Sequence, residues 1–137
     1  MRPGWLVALL VGACGEPNAL SEPRLEFTSQ IVAGIPTIAT AATPHKGGMK
    51  VTGTIRTPTT SYVLSGTVRA LGSHSLELEI TAADSGGGLP FFVQNYYQAD
   101  VRALGPGAYE LSVIHSVTTP PAHREEVYHQ IVQVPAP

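Results

Sequence analysis

Apolar and polar side chains alternate with a period of two through most of the chain from residue 24 onward. Within 75–81, for example, Leu76, Leu78 and Ile80 alternate with hydroxyl and carboxylate side chains. This period is that of a β-strand with one buried face and one wet face. Fourteen glycines and twelve prolines, together with recurrent Thr and Val, disfavour helices and favour short strands joined by tight turns.

The alternation predicts about seven strands, each bounded by Gly, Pro, Ser or Asn. The last of them is apolar on both faces, which predicts either a central position in its sheet or packing on both of its sides. A loop precedes the second strand, with a further short strand within it at 37–40. The seven predicted strands span 25–32, 50–56, 62–69, 75–81, 91–101, 109–114 and 127–134.

The segment Leu104-Gly-Pro-Gly-Ala-Tyr109 marks a corner between two predicted strands. It resembles the Leu-x-Pro-Gly-x-Tyr corner of Greek-key sandwiches, including fibronectin type III, immunoglobulin-like and transthyretin-like domains. The resemblance implies that the hydroxyl of Tyr109 hydrogen-bonds back across the connection and has a structural role. Together with the strand pattern, it predicts an all-β Greek-key β-sandwich of about seven strands, immunoglobulin-like or transthyretin-like, over 24–137.

The amino terminus has a different character from the rest of the chain. Arg2 is followed by an apolar run over 5–11, by Gly-Ala, and then by Cys14, the only cysteine. The run is too short to span a bilayer, which takes about 20 residues. It fits the apolar region of a signal peptide. The stretch resembles a bacterial lipoprotein signal peptide with the lipobox Val11-Gly12-Ala13-Cys14.

This resemblance implies a signal peptide at 1–13, a lipidated amino terminus and polar tether at 14–23, and the sandwich at 24–137. It further implies cleavage before Cys14 and acyl chains carried by its thiol. The protein is then anchored in the cell envelope, at the periplasmic face of the outer membrane in a Gram-negative host, since Gly15 rather than aspartate follows the cysteine. Two alternatives stay open: ordinary secretion with cleavage nearby, and a buried thiol in a cytosolic protein.

Three of the five histidines lie close together near the carboxyl terminus. His115 ends one predicted strand, His123 lies in the following loop, and His129 lies in the next strand. If those strands pair as a hairpin, the three imidazoles form a candidate copper or zinc site. The alternative is that they are separate surface histidines, because no tight ligand spacing is present.

The stretch 89–97 concentrates aromatic residues directly after the Gly86-Gly87-Gly88 run, which predicts a flexible loop. Alternation buries only one side of a strand, so some of Phe91, Phe92 and Tyr96 are expected to face solvent. Exposed aromatic side chains mark contacts with a protein, a glycan or a membrane. The alternative is that both phenylalanines plug the end of the sandwich.

Other chemistry has little support in the sequence. No Gly-x-Ser-x-Gly elbow is present, and Glu77 and Glu79 fit a solvated strand face that pairs with basic residues of a neighbouring strand. Basic runs are absent, and the formal net charge of −2 gives nucleic-acid binding no electrostatic support. The leading hypothesis is a lipid-anchored cell-envelope binding module without catalytic activity. The alternative is a periplasmic copper- or zinc-binding protein that uses His115, His123 and His129.

Overall fold

The structure is a computed structural model that describes residues 22–137. The predicted signal peptide at 1–13, the predicted lipidation site Cys14 and most of the predicted tether at 14–23 therefore lie outside the described residues. Between residues 22 and 137 the regular structure consists of strands, and no helix there is long and apolar enough to cross a bilayer.

Eight β-strands form two four-stranded sheets that pack face to face. Sheet A has the strand order β1-β6-β3-β2, and sheet B has the order β4-β5-β7-β8. The strands are β1 (Arg24–Val32), β2 (Ala41–His45), β3 (Gly48–Thr57), β4 (Tyr62–Gly72), β5 (Ser75–Asp84), β6 (Val93–Arg102), β7 (Gly107–Val117) and β8 (His123–Val134). The predicted all-β sandwich is confirmed, with eight strands rather than about seven.

The chain changes sheet at β6, which lies in sheet A between two strands of sheet B in sequence. Strands β5 and β7 are consequently neighbours in sheet B and run parallel, with Leu78 opposite Val113. All other neighbouring strands are antiparallel. A parallel pair needs a crossover rather than a tight hairpin, and the excursion through β6 supplies it.

The core lies between the two sheets and follows directly from the alternation in sequence. In β5 every second side chain is buried, from Leu76 to Ala82. In β6 the buried inward series is Val93, Asn95, Tyr97, Ala99 and Val101. Because the outward side chains of both strands are polar, each sheet has a single apolar face and needs the other sheet to cover it.

The strand that the sequence missed is β2, at Ala41–His45 rather than 37–40. It forms a hairpin with β3 through a turn at Lys46 and Gly47, where Gly47 has a φ of 85°. Its sequence has weak alternation and contains Pro44, which an edge strand tolerates because one side of that strand makes no ladder hydrogen bonds.

The expectation that the last strand is central is wrong, because β8 is the edge strand of sheet B. The register of β8 against β7 shifts between Val113 and Ile114, so Val127 is an extra residue in a bulge. A bulge inserts one residue into the alternation. The apolar residues of β8 therefore do not lie on two buried faces: Val132 is buried, whereas Ile131 is 71% exposed.

The predicted tyrosine corner is present. The hydroxyl of Tyr109 donates a hydrogen bond to the carbonyl oxygen of Gly105 at 2.9 Å, which closes the connection between β6 and β7. The Tyr109 ring is buried and packs against the imidazole of His74 with 4.7 Å between ring centroids. Tyr109 thus joins the corner to the β4–β5 hairpin.

The two ends of the sandwich differ in what they carry. Arg24 pairs with Arg102 and Val32 with Gln94, so the chain enters at the end where β6 finishes. We call this the tether end. The opposite end, which we call the loop end, holds the connection over 85–92. The ten residues of β6 separate the two ends by roughly 30 Å.

We expect Tyr109→Phe to lower the free energy of unfolding by about 1 kcal/mol, because the ring still packs while the hydrogen bond to Gly105 is lost. Chemical denaturation checks this value. Tyr128→Phe is the matched control, since Tyr128 is half-buried and has no side-chain hydrogen bond to another described residue. Equal effects of the two substitutions would contradict a structural role for the corner.

Candidate functional site

The most exposed group of apolar side chains lies on the connection between β5 and β6, at residues 85–92, which we call the aromatic loop. Leu89, Phe91 and Phe92 are 59%, 50% and 58% exposed. The alternative in which both phenylalanines plug the end of the sandwich is therefore wrong. Large apolar side chains scattered singly need no explanation, but here three exposed ones lie within four residues.

Hydrogen bonds attach the aromatic loop to the turn that joins β3 and β4. The Leu89 N–H donates to Thr60 Oγ1 at 2.9 Å, and the Thr60 N–H donates to the Leu89 carbonyl at 3.3 Å. The Phe91 N–H donates to the same Leu89 carbonyl at 2.9 Å. The backbone of Leu89 is thus attached to the turn through both its N–H and its carbonyl.

The beginning of the loop is fixed by a second group of bonds. The Ser85 N–H and hydroxyl both donate to the Ser61 carbonyl, at 3.0 and 2.7 Å. The Asp84 carboxylate accepts from the Ser61 hydroxyl and from the Gly86 N–H. These bonds stabilise the carboxylate, so the pKa of Asp84 lies below its usual value.

Glycines make this path possible. Gly86 and Gly87 have φ values of 87° and 80°, which side-chain-bearing residues rarely adopt. At Gly88 an added Cβ would lie 2.5 Å from the Ser61 nitrogen, so only glycine permits this close approach. The predicted flexible linker is thus a hydrogen-bonded loop with a defined shape.

One cation borders the patch. The Arg56 guanidinium lies over the Phe92 ring, 3.9 Å from its centroid, in a cation–π contact. Arg56 is itself exposed and forms no ion pair with another described residue. The surface therefore offers apolar area next to a positive charge that is open to an acidic partner group.

Tyr96 does not belong to the aromatic loop. It lies within β6 on the outer face of sheet A, opposite Gln30 and Thr54 in the neighbouring strands. Its hydroxyl accepts a hydrogen bond from the Gln98 amide at 3.3 Å, and its side chain is half-buried. The predicted contact set of Phe91, Phe92 and Tyr96 is therefore divided: the phenylalanines share the loop, where Leu89 joins them, and Tyr96 lies apart.

The three candidate metal ligands are not brought together. His115 points into the space between the sheets, where its Nε2 lies 2.7 Å from the hydroxyl of Tyr97. His129 lies opposite Ser112, three residues from His115 along β7 and on the other face of the sheet. His123 is exposed at the start of β8 and lies opposite Val117. The hairpin predicted from the sequence exists, but the odd offset between His115 and Ser112 places His129 on the face opposite to His115. His123 lies at the start of β8, and the three imidazoles form no cluster.

Carboxylates rather than histidines surround His129. Its Nε2 lies 2.6 Å from Glu110 and its Nδ1 lies 3.3 Å from Glu126. The hydrogen bond with Glu110 and the charge of Glu126 raise the pKa of His129. Within residues 22–137 no three His, Cys, Asp or Glu side chains form a cluster suited to a metal ion.

His115 and Tyr97 form a polar contact between the two sheets inside the core. Burial lowers the pKa of His115 to about 4 and raises the pKa of Tyr97 to about 12, so both are neutral at pH 7. The neutral phenol and the neutral imidazole then share a hydrogen bond between the phenol oxygen and Nε2. Thr40 Oγ1 lies 3.4 Å from the same phenol oxygen. This contact satisfies buried polar groups, which is a structural role.

The predicted pairing of the strand-face carboxylates is confirmed. Arg69 on β4 contacts Glu77 at 2.5 Å, and Arg124 on β8 contacts Glu79 at 3.3 Å. The two arginines carry the positive charge that neutralises this face of sheet B. Glu77 and Glu79 are therefore part of a surface ion-pair network.

No protein-family model matches the chain, and neither a curated protein nor a solved structure matches it.

The low pKa of His115 gives a prediction for stability. The folded state binds the neutral imidazole, so protonation favours unfolding, and His115 should lose its stabilising effect as the pH falls from about 6.5 toward about 4. We expect the advantage of the wild type over His115→Gln in free energy of unfolding to shrink across this range. His45 and His129 titrate in both proteins and cancel in the difference.

Denaturation curves at several pH values test this expectation. A difference between wild type and His115→Gln that stays constant from pH 7 to an acidic pH would show that His115 titrates with an ordinary pKa.

Proposed function

We propose that the protein is a lipid-anchored interaction module of the cell envelope, without catalytic activity, and that the aromatic loop is the surface that contacts a partner protein. The observation that carries the proposal is the exposure of Leu89, Phe91 and Phe92 on a hydrogen-bonded loop at the end opposite the chain's entry. An anchor at Cys14 would leave this end free to meet other envelope components.

The form of the loop supports binding. Binding surfaces concentrate their energy in a few large side chains, and aromatic residues are prominent among them. A surface that is already ordered loses less conformational entropy when a partner docks. The bonds of the loop to Thr60 and Ser61 supply this order before binding.

The chemistry of the loop favours a protein partner over a glycan. Leu89, Phe91 and Phe92 carry no side-chain hydrogen-bonding group that would recognise sugar hydroxyls. They instead match an apolar pocket, and Arg56 beside them suits an acidic group at the rim of that pocket. A partner surface with an apolar recess and a neighbouring carboxylate fits both features.

The partner contact is tested in the native envelope with a photo-crosslinking amino acid at position 92, and with the same amino acid at position 131 as a control. Ile131 is also a large exposed apolar residue, but it lies on β8 in the other sheet. We expect one protein to crosslink at position 92 and not at position 131. Equal labelling at both positions would indicate nonspecific contact.

Affinity for the purified crosslinked partner then decides the role of the loop. We expect Phe91→Ser/Phe92→Ser to weaken binding by at least about tenfold, because two anchoring side chains are lost. Ile131→Ser should leave the affinity unchanged. Since all three side chains are exposed, the denaturation midpoint should move little, and unchanged affinity of the double variant would contradict the proposal.

The anchor is tested separately by the intact mass of the membrane-associated protein, with Cys14→Ala as the comparison. We expect a mass that corresponds to cleavage before Cys14 plus acyl chains, and its absence in the variant. A soluble wild-type product without acyl chains would contradict the anchor and leave the loop experiment interpretable.

A further inference from the structure

A groove with a volume of about 710 Å³ opens at the tether end, between the β4–β5 hairpin and the β6–β7 corner. Pro23, the second described residue, lies on its wall. Most of its lining residues are apolar, among them Leu71, Leu76, Leu104, Pro106 and Tyr109. The volume lies in the range of ligand-binding clefts, about 300–1,000 Å³.

Leu71 gives this end an apolar tip. It lies near the turn of the β4–β5 hairpin and is 54% exposed, although it lines the groove. Near its start, at the loop end, the same strand carries Val63, which is 59% exposed. The strand therefore provides an apolar residue of similar exposure at each end of the molecule.

Two free cations flank the groove. Arg24 follows Pro23 directly, and Lys46 lies in the β2–β3 turn, whose Gly47 carbonyl accepts a hydrogen bond from the Leu104 N–H at 3.0 Å. Both cationic side chains are exposed, and neither forms an ion pair with another described residue. Both cations thus lie at the end of the sandwich that carries Leu71.

Most acidic groups at this end are already neutralised. Asp100 contacts His45 at 2.6 Å and Arg102 at 2.9 Å, and Arg102 also contacts Glu26 at 3.4 Å. Glu22 is the remaining carboxylate beside Pro23. The tether end therefore presents an apolar tip and groove together with two cations, Arg24 and Lys46, that form no ion pair with another described residue, and one carboxylate, Glu22.

We propose that the tether end docks against an anionic lipid bilayer, with Leu71 inserted at the interface and Arg24 and Lys46 against the lipid headgroups. This inference rests on the proposed anchor at Cys14, which would hold this end within nine residues of the acyl chains. An apolar side chain among cations is the chemistry of surfaces that lie on anionic membranes.

The anchor makes a weak contact sufficient. One inserted leucine and two cations bind a membrane poorly from free solution. A short tether converts the encounter into an intramolecular one, with an effective concentration on the order of millimolar. The docked domain then holds the aromatic loop at the far end of the sandwich, directed away from the membrane.

The experiment uses the mature chain from Cys14 to Pro137, which contains all eight strands and the described core. Its single cysteine permits selective coupling to a maleimide-bearing lipid in vesicles, and it contains no tryptophan, since the only one is Trp5. Leu71→Trp thus supplies a single fluorescent reporter at the proposed contact. The vesicles contain phosphatidylglycerol, phosphatidylcholine and a lipid with a nitroxide quencher at shallow depth.

We expect the emission of Leu71→Trp to shift to shorter wavelength and to be largely quenched on these vesicles. The matched reporter Val63→Trp, and Phe92→Trp in the aromatic loop, should keep their emission. Pure phosphatidylcholine vesicles, or Arg24→Gln/Lys46→Gln in the Leu71→Trp background, should reduce the quenching of the Leu71 reporter severalfold.

An unquenched Leu71→Trp on coupled vesicles would overturn the proposal. Quenching of Val63→Trp or Phe92→Trp instead would show that the other end contacts the membrane, and would also remove the protein-binding role of the aromatic loop. Because coupling is chemical, the result does not depend on lipidation in the cell. Failure of the docking is thereby distinguished from failure of the anchor.

Discussion

Burial of two one-sided sheets against each other is the interaction on which the rest of the structure depends. Each sheet of this protein has one apolar face. Among the described elements, only the opposite sheet covers that face. The inward series of β5 and β6 interleave to form a core from which water is excluded. Because the faces are used up in this way, functional surface remains only at the outer faces and at the two ends.

The core contains one demanding arrangement, around Tyr97. Its ring is fully buried, and its hydroxyl crosses the core to His115 of the opposite sheet. Space for the phenol exists because residue 53 is glycine, where an added Cβ would lie 2.7 Å from the hydroxyl oxygen. One glycine, one tyrosine and one histidine thus fix the separation and register of the sheets at this level, and the histidine has a packing role there rather than a metal-binding one.

The sequence predicted the fold well where side-chain alternation is regular. Strands such as β5 have a period of two without interruption, and the corner at Tyr109 depends on a local motif, so neither needs knowledge of distant contacts. Strand β2 was not predicted, because its pairing with β3 depends on a turn rather than on alternation. The edge position of β8 was not predicted, because strand order depends on distant pairing. The bulge at Val127 likewise depends on the register against β7, which a local pattern does not show.

The candidate site was predictable in part for the same reason. The sequence placed Phe91 and Phe92 beside a glycine run but left their exposure open, since that depends on where the loop lies on the β3–β4 turn. It grouped Tyr96 with them through proximity in sequence, whereas strand geometry carries Tyr96 along the outer face of sheet A. The contacts of Thr60 and Ser61 that shape the loop join residues more than twenty positions apart, beyond the reach of a local pattern.

The antiparallel arrangement also gives the two ends different physical tasks. Because β1 and β6 are antiparallel, the end at which the chain enters β1 is the end at which β6 finishes, and the β5–β6 connection lies at the other end. The tether end combines apolar area with free positive charge, whereas the loop end combines apolar area with a loop fixed by hydrogen bonds. Positive charge can attract an anionic membrane through its electrostatic potential. A loop with one conformation can instead fit a pocket of matching shape in a partner protein. If the proposed anchor holds the tether end at the membrane, the sandwich between the two ends directs the proposed recognition loop away from it.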